Sequence, residues 1–298
     1  MIENKKVQIL MSTYNGETFL REQIESLLKQ TYLKIEILIR DDGSEDRTVD
    51  ILKEYAASNK NIHIYLENNI GVTKSFFELL KRAEADYIAF CDQDDVWQEN
   101  KVEEAVKKLK DKEEPWLYFS NRTLVDESLN VLPGQRKRKC HIGFGNALVE
   151  SICTGCTIVM NRKLTDIIKM NIPDNAIIHD WWCYLVAAYK GNITYDENSY
   201  IWYRQHEKNV VGANTSWIKT VKSKMYYLKK NSGRLKAQLE EFARIYQGIK
   251  EKDELLERLC RGDKFPERFF LVFNTKLYRQ SKLDEMAMRI LLFTNRML

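Results

Sequence analysis

The sequence predicts an α/β protein, a mainly parallel sheet with helices on both faces, followed by a helical region. Three observations carry this expectation. Short apolar runs alternate with helix-length segments through the first 120 residues, polar clusters stand directly behind several of those runs, and strand-like runs disappear after residue 213.

The elements read in order. "VQILM" (7–11), "IEILI" (35–39), "IHIYL" (62–66), "YIAFC" (87–91) and "WLYFS" (116–120) have strand length and are rich in Ile, Leu and aromatic residues. Helices are expected between them at 17–30, 45–58, 72–82 and 98–110, with Ser44 capping the second ahead of its acidic first turn, Glu45 and Asp46. Further on, "RTLVDESLNVLPG" resembles a hairpin, "CTIVM" a strand followed by a helix, "HDWWCYLVAAYKG" a helix closed by Gly191, and "SYIWYRQH" another strand. The stretch from Trp217 to Leu259 reads as one or two amphipathic helices and "KLDEMAMRILLFTNRML" as another. The expected division is therefore an α/β domain over 1–212 and a basic helical region over 213–298.

Composition bounds the class. A chain of 298 residues, 44% of them hydrophobic, supports one sizeable core and a smaller appended unit, and is neither disordered nor fibrous. The longest apolar stretches, "TGCTIVM" and "FFLVF", fall far short of the roughly 20 residues that span a bilayer. The start "MIENKKVQIL" lacks a signal-peptide pattern, so a cytoplasmic protein is expected, or one peripheral at the inner face of the membrane. The net charge of +4 hides an asymmetry: residues 213–298 carry 19 Lys and Arg against 10 Asp and Glu, and residues 1–212 carry 28 against 33. The tail then reads either as a solvated helical face or as the partner of an anionic surface. Of the six cysteines, "CTGC" (153–156) has redox or zinc spacing, but no second pair completes a site, and reduced, mostly buried thiols are expected. No nucleic-acid partner is expected.

The polar clusters "STYNG", "DDGS" and "DQDD" follow the first, second and fourth strands, which puts all three on one sheet edge. Open α/β sheets bind ligands beyond the C-terminal strand ends, where strand order reverses. In "FCDQDDVW" Asp92 and Asp94, two apart, face the same side while Gln93 does not, and paired carboxylates suit Mg²⁺ or Mn²⁺ held with substrate phosphates. Asp41 and Asp42 of "DDGS" read either as a turn or as acceptors for a nucleobase or a sugar hydroxyl, with Thr13, Tyr14 and Asn15 contributing contacts to the same base. Asp180 in "IIHDWW" reads either as a helix-end acid or as a general base, flanked by His179 and by Trp181 and Trp182, whose rings suit packing on an acceptor. His206 in "YRQHEKN" is a candidate third metal ligand, and Arg204 and Gln205 are candidates for contacting phosphate or acceptor. "RKRK" (136–139) reads as a solvated loop or as a contact for pyrophosphate or lipid.

Taken in order, "VQILMSTYNGETFLREQIESLLKQTY", "ILIRDDGSEDRTVDIL", "NIGVTKSFFELLKRAEADYIAFCDQDDVW", "TGCTIVMNRKL", "HDWWCYLVAAYKG" and "YRQHEKNVVG" resemble an inverting family 2 glycosyltransferase of the GT-A fold, in its bacterial rhamnosyltransferase-like branch. The likeness covers about residues 5–212, and the tail carries no matching motif. It implies a Rossmann-like catalytic domain in which one of Asp41 and Asp42 reaches the base. Asp92-Gln93-Asp94 matches the DXD motif, with Asp94 on the cation and Asp92 on the ribose or in the metal shell. Asp95 is implied to face the donor sugar or the acceptor pocket, Thr154 and Gly155 to lie beneath the acceptor, Asp180 to be the base and His206 to complete the metal site. The implied reaction is metal-dependent transfer, with Mn²⁺ or Mg²⁺, from a nucleotide-sugar donor resembling dTDP-L-rhamnose. A UDP-hexose is the alternative donor. The implied acceptor is a glycan, including one linked to undecaprenyl diphosphate, in surface polysaccharide or capsule synthesis. The tail, including "MYYLKK" and "RILLFTNRML", is expected to lie on anionic lipid, to pack against the catalytic domain, or to pair in a homo-oligomer. Two other classes fit parts of the pattern. A haloacid-dehalogenase-like phosphatase also places two aspartates two apart after a strand, with "GDKFPE" (262–267) as a faint second motif, and a non-catalytic module would bind the nucleotide sugar alone.

Overall fold

A computed structural model of the chain describes residues 5–135, 139–206 and 232–297. "MYYLKK", most of "RKRK" and the expected boundary at 212 lie outside the described residues. The chain divides into two compact units. The first comprises Met1–Lys139, Cys153–Met170 and Lys190–Val210, and the second Cys140–Ile152, Asn171–Tyr189 and Val211–Leu298. A single cut near residue 212 therefore does not separate them, because the second unit takes two segments from the middle of the chain.

The first unit is built on one eight-stranded sheet: β1 (Val7–Thr13), β2 (Ile35–Asp41), β3 (Ile62–Leu66), β4 (Tyr87–Cys91), β5 (Val96–Trp97), β6 (Trp116–Val125), β7 (Ile158–Asn161) and β8 (Asn192–Arg204), in the order β3-β2-β1-β4-β7-β6-β8-β5. Strands β3, β2, β1 and β4 are parallel; β7 runs antiparallel to both β4 and β6, β8 is parallel to β6, and β5 is antiparallel to β8. The expected parallel sheet is thus its first half, and the second half is mixed.

Burial on both faces explains the near-continuous apolar strands. All five residues of β4 are buried. On one face Val7, Ile9 and Met11 of β1 join Ile37, Ile39, Ala89 and Cys91 beneath α1 (Leu20–Leu28), α2 (Thr48–Ser58) and α4 (Lys101–Leu109). Helix α4 contributes Val102, Ala105, Val106 and Leu109, a stripe of helical period. On the other face α3 (Val72–Arg82) lays Phe76 edge-on against Phe90 of β4, ring centroids 5.3 Å apart. From β1 the chain winds outward to β2 and β3, then returns to β4 on the other side of β1. Strand order therefore reverses between β1 and β4, which opens a crevice beyond their C-terminal ends.

Two local expectations shift. The second helix starts at Thr48 with Arg47 at its N-cap and no side-chain capping bond, so Ser44 is not its cap; Asp46 accepts from the Thr48 N–H (3.0 Å) just ahead of it. The expected hairpin forms as a tight return after β6, with Asp126 N–H on Asn130 O (2.9 Å) and a bridge from Val125 to Val131. β7 is followed at once by α6 (Arg162–Met170), as "CTIVM" and its successor predict.

The second unit is helical among the described residues: a single turn α5 (Phe144–Ala147), α7 (His179–Lys190) but for its last residue, α8 (Ser232–Ile245), α9 (Lys250–Cys260), α10 (Phe265–Phe273) and α11 (Lys282–Phe293). Its centre is aromatic. Trp182 stands edge-on to Phe242 at 5.4 Å, with Tyr246 4.7 Å and Tyr189 5.6 Å from Phe242. α8 also holds the loop before α7, where Glu241 accepts from the N–H groups of Asp174 (2.9 Å) and Asn175 (2.7 Å), and Gln238 from Ile177 (2.8 Å). The tail helices thus share a core with α7. No helix among the described residues is long and apolar enough to cross a membrane.

Candidate active site

β1 ends at Thr13, and the loop behind it is fastened to both neighbouring strand ends. Thr13 Oγ1 donates to Asp41 Oδ1 (3.0 Å), the Asn15 N–H donates to Ser44 Oγ (2.9 Å), and Asn15 Oδ1 accepts from the Glu45 N–H (2.8 Å). Asn15 sits at φ 47°, a left-handed conformation that asparagine tolerates better than most residues. Towards β4, the Tyr14 N–H donates to Gln93 Oε1 (2.9 Å) and Gln93 Nε2 donates to Tyr14 O (3.1 Å). Gln93 was expected to face away from the crevice; instead it joins "STYNG" to "DQDD". Alternation along a strand stops predicting direction once the strand has ended at Cys91. The Tyr14 ring is 48% exposed, an open apolar face on this edge.

The acid pair behind β2 is closed in by its own chain. Asp41, 2% exposed, accepts from Thr13 and from Ser44 Oγ (2.6 Å) on Oδ1, and from the N–H groups of Gly43 (3.1 Å) and Ser44 (2.9 Å) on Oδ2. Gly43 makes this possible by adopting φ 80°. Asp42, 3% exposed, pairs with buried Arg40 and accepts from the N–H groups of Ile70 (2.8 Å) and Gly71 (2.9 Å). Four bonds fill both oxygens of Asp41, whereas three leave Asp42 Oδ2 with acceptor capacity.

The acids behind β4 meet the end of β8. His206 Nε2 lies 2.8 Å from Asp94 Oδ2, and both side chains are partly open. The imidazole also lies against Phe19, ring centroids 5.2 Å apart. Asp95 turns inward, with Oδ1 accepting from the Arg204 N–H (3.0 Å) and no exposed surface. Burial, then the charges of Asp94 and Asp92, push its carboxyl well above the usual carboxylate range. Asp95 was implied to face donor sugar or acceptor; in the structure it anchors β8 instead. Arg204 is also consumed internally: its guanidinium, buried over the Phe19 ring at 4.4 Å, bonds Asp94 O (2.9 Å), Glu127 O and Glu22. It positions the loop and offers no open face to phosphate.

The "TGC" segment lies beside these acids, because β7 pairs Val159 with Ala89 of β4. Gly155 is buried, and Cys156 Sγ falls within 4.8 Å of carboxylate oxygens of Asp92 and Asp95. Thr154 Oγ1 accepts from Arg122, whose guanidinium stands 5.1 Å from the Tyr203 ring centroid. Arg122 and Lys101 were missed in the sequence. Lys101, buried and 3.4 Å from the Trp97 ring centroid, is pushed down to about 8 by burial, against the raising influence of Cys156, Cys91 and Asp95. Neither carries a motif signal, since one sits mid-strand and the other inside a helix of ordinary amphipathic pattern.

Asp180 lies in the second unit, in the first turn of α7, where a carboxylate is favoured by the helix dipole. His179 beside it is buried, and burial pushes its imidazole down to about 3. Trp181 is partly open and donates from Nε1 to Ala147 O (2.7 Å). Trp182 has no exposure and packs in the aromatic core, so it presents no ring face to an acceptor.

Residues 8–168 match the family described as Glycosyl transferase family 2, more than half of the chain. The chain belongs to that family. As a family 2 glycosyltransferase it is 29% identical over 305 residues to the dTDP-rhamnosyl transferase RfbG of Shigella flexneri, covering 96% of this chain and 99% of the relative. Among solved structures it is similar to S. aureus TarS 1-349 in complex with UDP-GlcNAc, with a TM-score of 0.62 and 18% identity over 97% of this chain and 81% of that one. It is also similar to the mannosyltransferase PcManGT from Pyrobaculum calidifontis in complex with GDP-Man and Mn2+, with a TM-score of 0.55 and 14% identity over 98% of this chain and 82% of that one. These likenesses show the GT-A fold.

Glycosyltransferases of this fold typically use a divalent metal, and the donor set fits one. Asp94 and His206 face each other, and Asp92 stands two residues before Asp94 with its carboxylate grouped beside Asp95 and Cys156. Hard cations such as Mg²⁺ and Mn²⁺ favour oxygen ligands, with imidazole tolerated by the latter. The nearby trio of Asp92, Asp95 and Cys156 is the poorer set, because burial pushes the Cys156 thiol well up and Asp95 is held by Arg204.

Proposed function

We propose that this family 2 glycosyltransferase is an inverting, metal-dependent enzyme that moves L-rhamnose from dTDP-L-rhamnose onto a glycan, free or lipid-linked, in bacterial surface polysaccharide synthesis. The observation that carries the reading is the Asp94–His206 pair, 2.8 Å apart on the sheet edge where the strand order reverses. The rhamnosyl donor is supported by near full-length similarity to a protein named as a dTDP-rhamnosyl transferase.

In this reading Tyr14 and Asn15 line the base side of the crevice, with Thr13 bracing Asp41 behind them, and Asp42 rather than Asp41 reaches the base through the free capacity of Oδ2. Asp94, His206 and Asp92 hold Mn²⁺ or Mg²⁺, which when bound neutralises charge on the diphosphate. Thr154 and Gly155 floor the acceptor side, and Trp181 packs on the acceptor. Asp180 accepts the proton of the acceptor hydroxyl as its oxygen bonds to the anomeric carbon. The bond from that carbon to the diphosphate oxygen breaks, and the diphosphate leaves without protonation. The enzyme works at the inner face of the membrane, where a lipid-linked acceptor would lie.

The test is a thermal-shift panel of dTDP, UDP and GDP with Mn²⁺ or Mg²⁺, followed by the sugar nucleotides. A ligand that binds only the folded chain raises the melting temperature as ln(1 + [L]/Kd). Metal-dependent stabilisation by dTDP-rhamnose is expected, with Asp180→Asn retaining it and losing transfer. Preference for UDP would move the donor to a UDP-hexose, and silence from every nucleotide would end the reading.

A further inference from the structure

α10 has the apolar sequence "FPERFFLVF", yet Leu271 is its only buried residue. Phe265, Phe269 and Phe273, at helical spacing, are 65%, 54% and 68% exposed, with successive ring centroids 6.5 and 5.1 Å apart. α11 repeats the pattern. Met288 and Leu292 point into the unit, while Leu283, Met286, Ile290 and Phe293 are each more than half exposed. An open groove lined by Val272, Met286, Ile290 and Phe293 carries Lys282, Glu285 and Arg289 on its rim. Arg289 joins the two helices by donating to the carbonyls of Leu271 (2.9 Å), Val272 (2.8 Å) and Asn274 (2.9 Å). Contiguous apolar surface of this kind marks an interaction site.

We propose that α10 and α11 form the face by which the enzyme inserts into the interfacial layer of an anionic lipid bilayer. The proposal deepens the peripheral-membrane part of the functional reading and rests on it. Charge selects the occupant. Residues 261–297 hold eight Lys and Arg against four Asp and Glu. Pairing takes up three of the acids, Asp263 with Lys236 (3.7 Å), Glu267 with Arg258 (3.0 Å) and Glu285 with Arg289 (3.0 Å), and four of the bases, Arg289 and, with acids outside this stretch, Arg261, Lys276 and Arg279. Lys264, Lys282 and Arg296 are exposed beside the apolar residues. A second copy docked by the same face would bring this basic surface against itself, whereas lipid phosphates would neutralise it. A phenylalanine-rich face edged by Lys and Arg is the chemistry of an interfacial helix.

The experiment is vesicle flotation of the full chain with phosphatidylcholine alone and with added phosphatidylglycerol. Wild type floats with the anionic vesicles. The triple replacement Phe265→Ser, Phe269→Ser, Phe273→Ser lowers binding at least about tenfold, given the apolar area removed. Neutralising Lys264, Lys282 and Arg296 to Gln lowers binding to anionic vesicles about a hundredfold, each basic residue contributing about fivefold near such a surface. Nucleotide-induced thermal shifts stay as in wild type for both variants, so failure here is distinct from failure of the donor-site reading. A Phe269→Trp protein, which leaves the face intact, gains fluorescence quenching from lipids with brominated acyl chains. Wild type that stays with neither vesicle overturns the proposal, as do Phe variants that float normally. Dimers that dissociate on Phe replacement, without vesicle binding, assign the face to a second copy.

Discussion

Asp41 ends β2 with Asp42 behind it, and Asp92 and Asp94 follow β4 on the same edge of one sheet, yet the first pair is almost wholly buried and the second only half-buried. The loop after β2 turns back at Gly43 and aims N–H groups at Asp41, the loop before α3 donates the N–H groups of Ile70 and Gly71 to Asp42, and Arg40 supplies a buried countercharge. The turn after β4 presents Asp94 to an imidazole from the far end of β8. Carboxylates satisfied by the chain's own donors stabilise the loop that holds them. A carboxylate whose partner is a histidine retains lone pairs for a cation.

Replacements should separate the two pairs. Asp94→Ala is expected to lower kcat/KM on the order of a thousandfold, as loss of metal assistance is worth several kcal/mol, with a melting temperature near wild type. Steady-state kinetics with Mn²⁺ titration checks it, and full activity would show the wrong pair was chosen. Asp42→Ala is expected to lose about 3 kcal/mol of folding stability by urea denaturation, because buried Arg40 keeps its charge without its nearest partner, and to weaken nucleotide binding as well. A loss confined to nucleotide binding would erase the contrast.

The histidines offer a parallel contrast. His179 is buried and held at about 3, below its ordinary value of 6.5. Between those values the unfolded chain binds the extra proton, so this contribution is complete above pH 6.5 and is lost as pH falls toward 3. The associated slope is up to about 1.4 kcal/mol per pH unit, and His179→Gln should flatten the acid side of the stability profile. An unchanged profile would mean that burial of His179 does not set it. The smallest effect is expected from Gln93→Ala, about 1 kcal/mol for a paired hydrogen bond, read as a severalfold rise in nucleotide KM with little change in kcat.

The parallel half of the sheet was legible because its strands are short apolar runs buried on both faces, a pattern local to each segment. β5, two residues long, carries no such pattern, and its pairing with Trp202 and Ile201 depends on where β8 passes. At the site, the meeting of "STYNG", "DDGS" and "DQDD" followed from strand ends alone. The direction of each side chain did not. Gln93, Asp95 and Arg204 all turned to structural partners that lie 79, 109 and 182 positions away in Tyr14, Arg204 and Glu22.

By itself the sequence determined the alternation of strands and helices, the placing of three polar loops on one edge, and the family, because periodicity and motif spacing are local properties of the chain. Only the tertiary structure decided which acids are spent on the chain's own N–H groups and which face His206. It also showed that the tail helices share a core with α7 and that the phenylalanines of "FPERFFLVF" face outward. Those outcomes depend on which distant donor, charge or apolar surface occupies the space beside each residue, and chain order does not encode that distance.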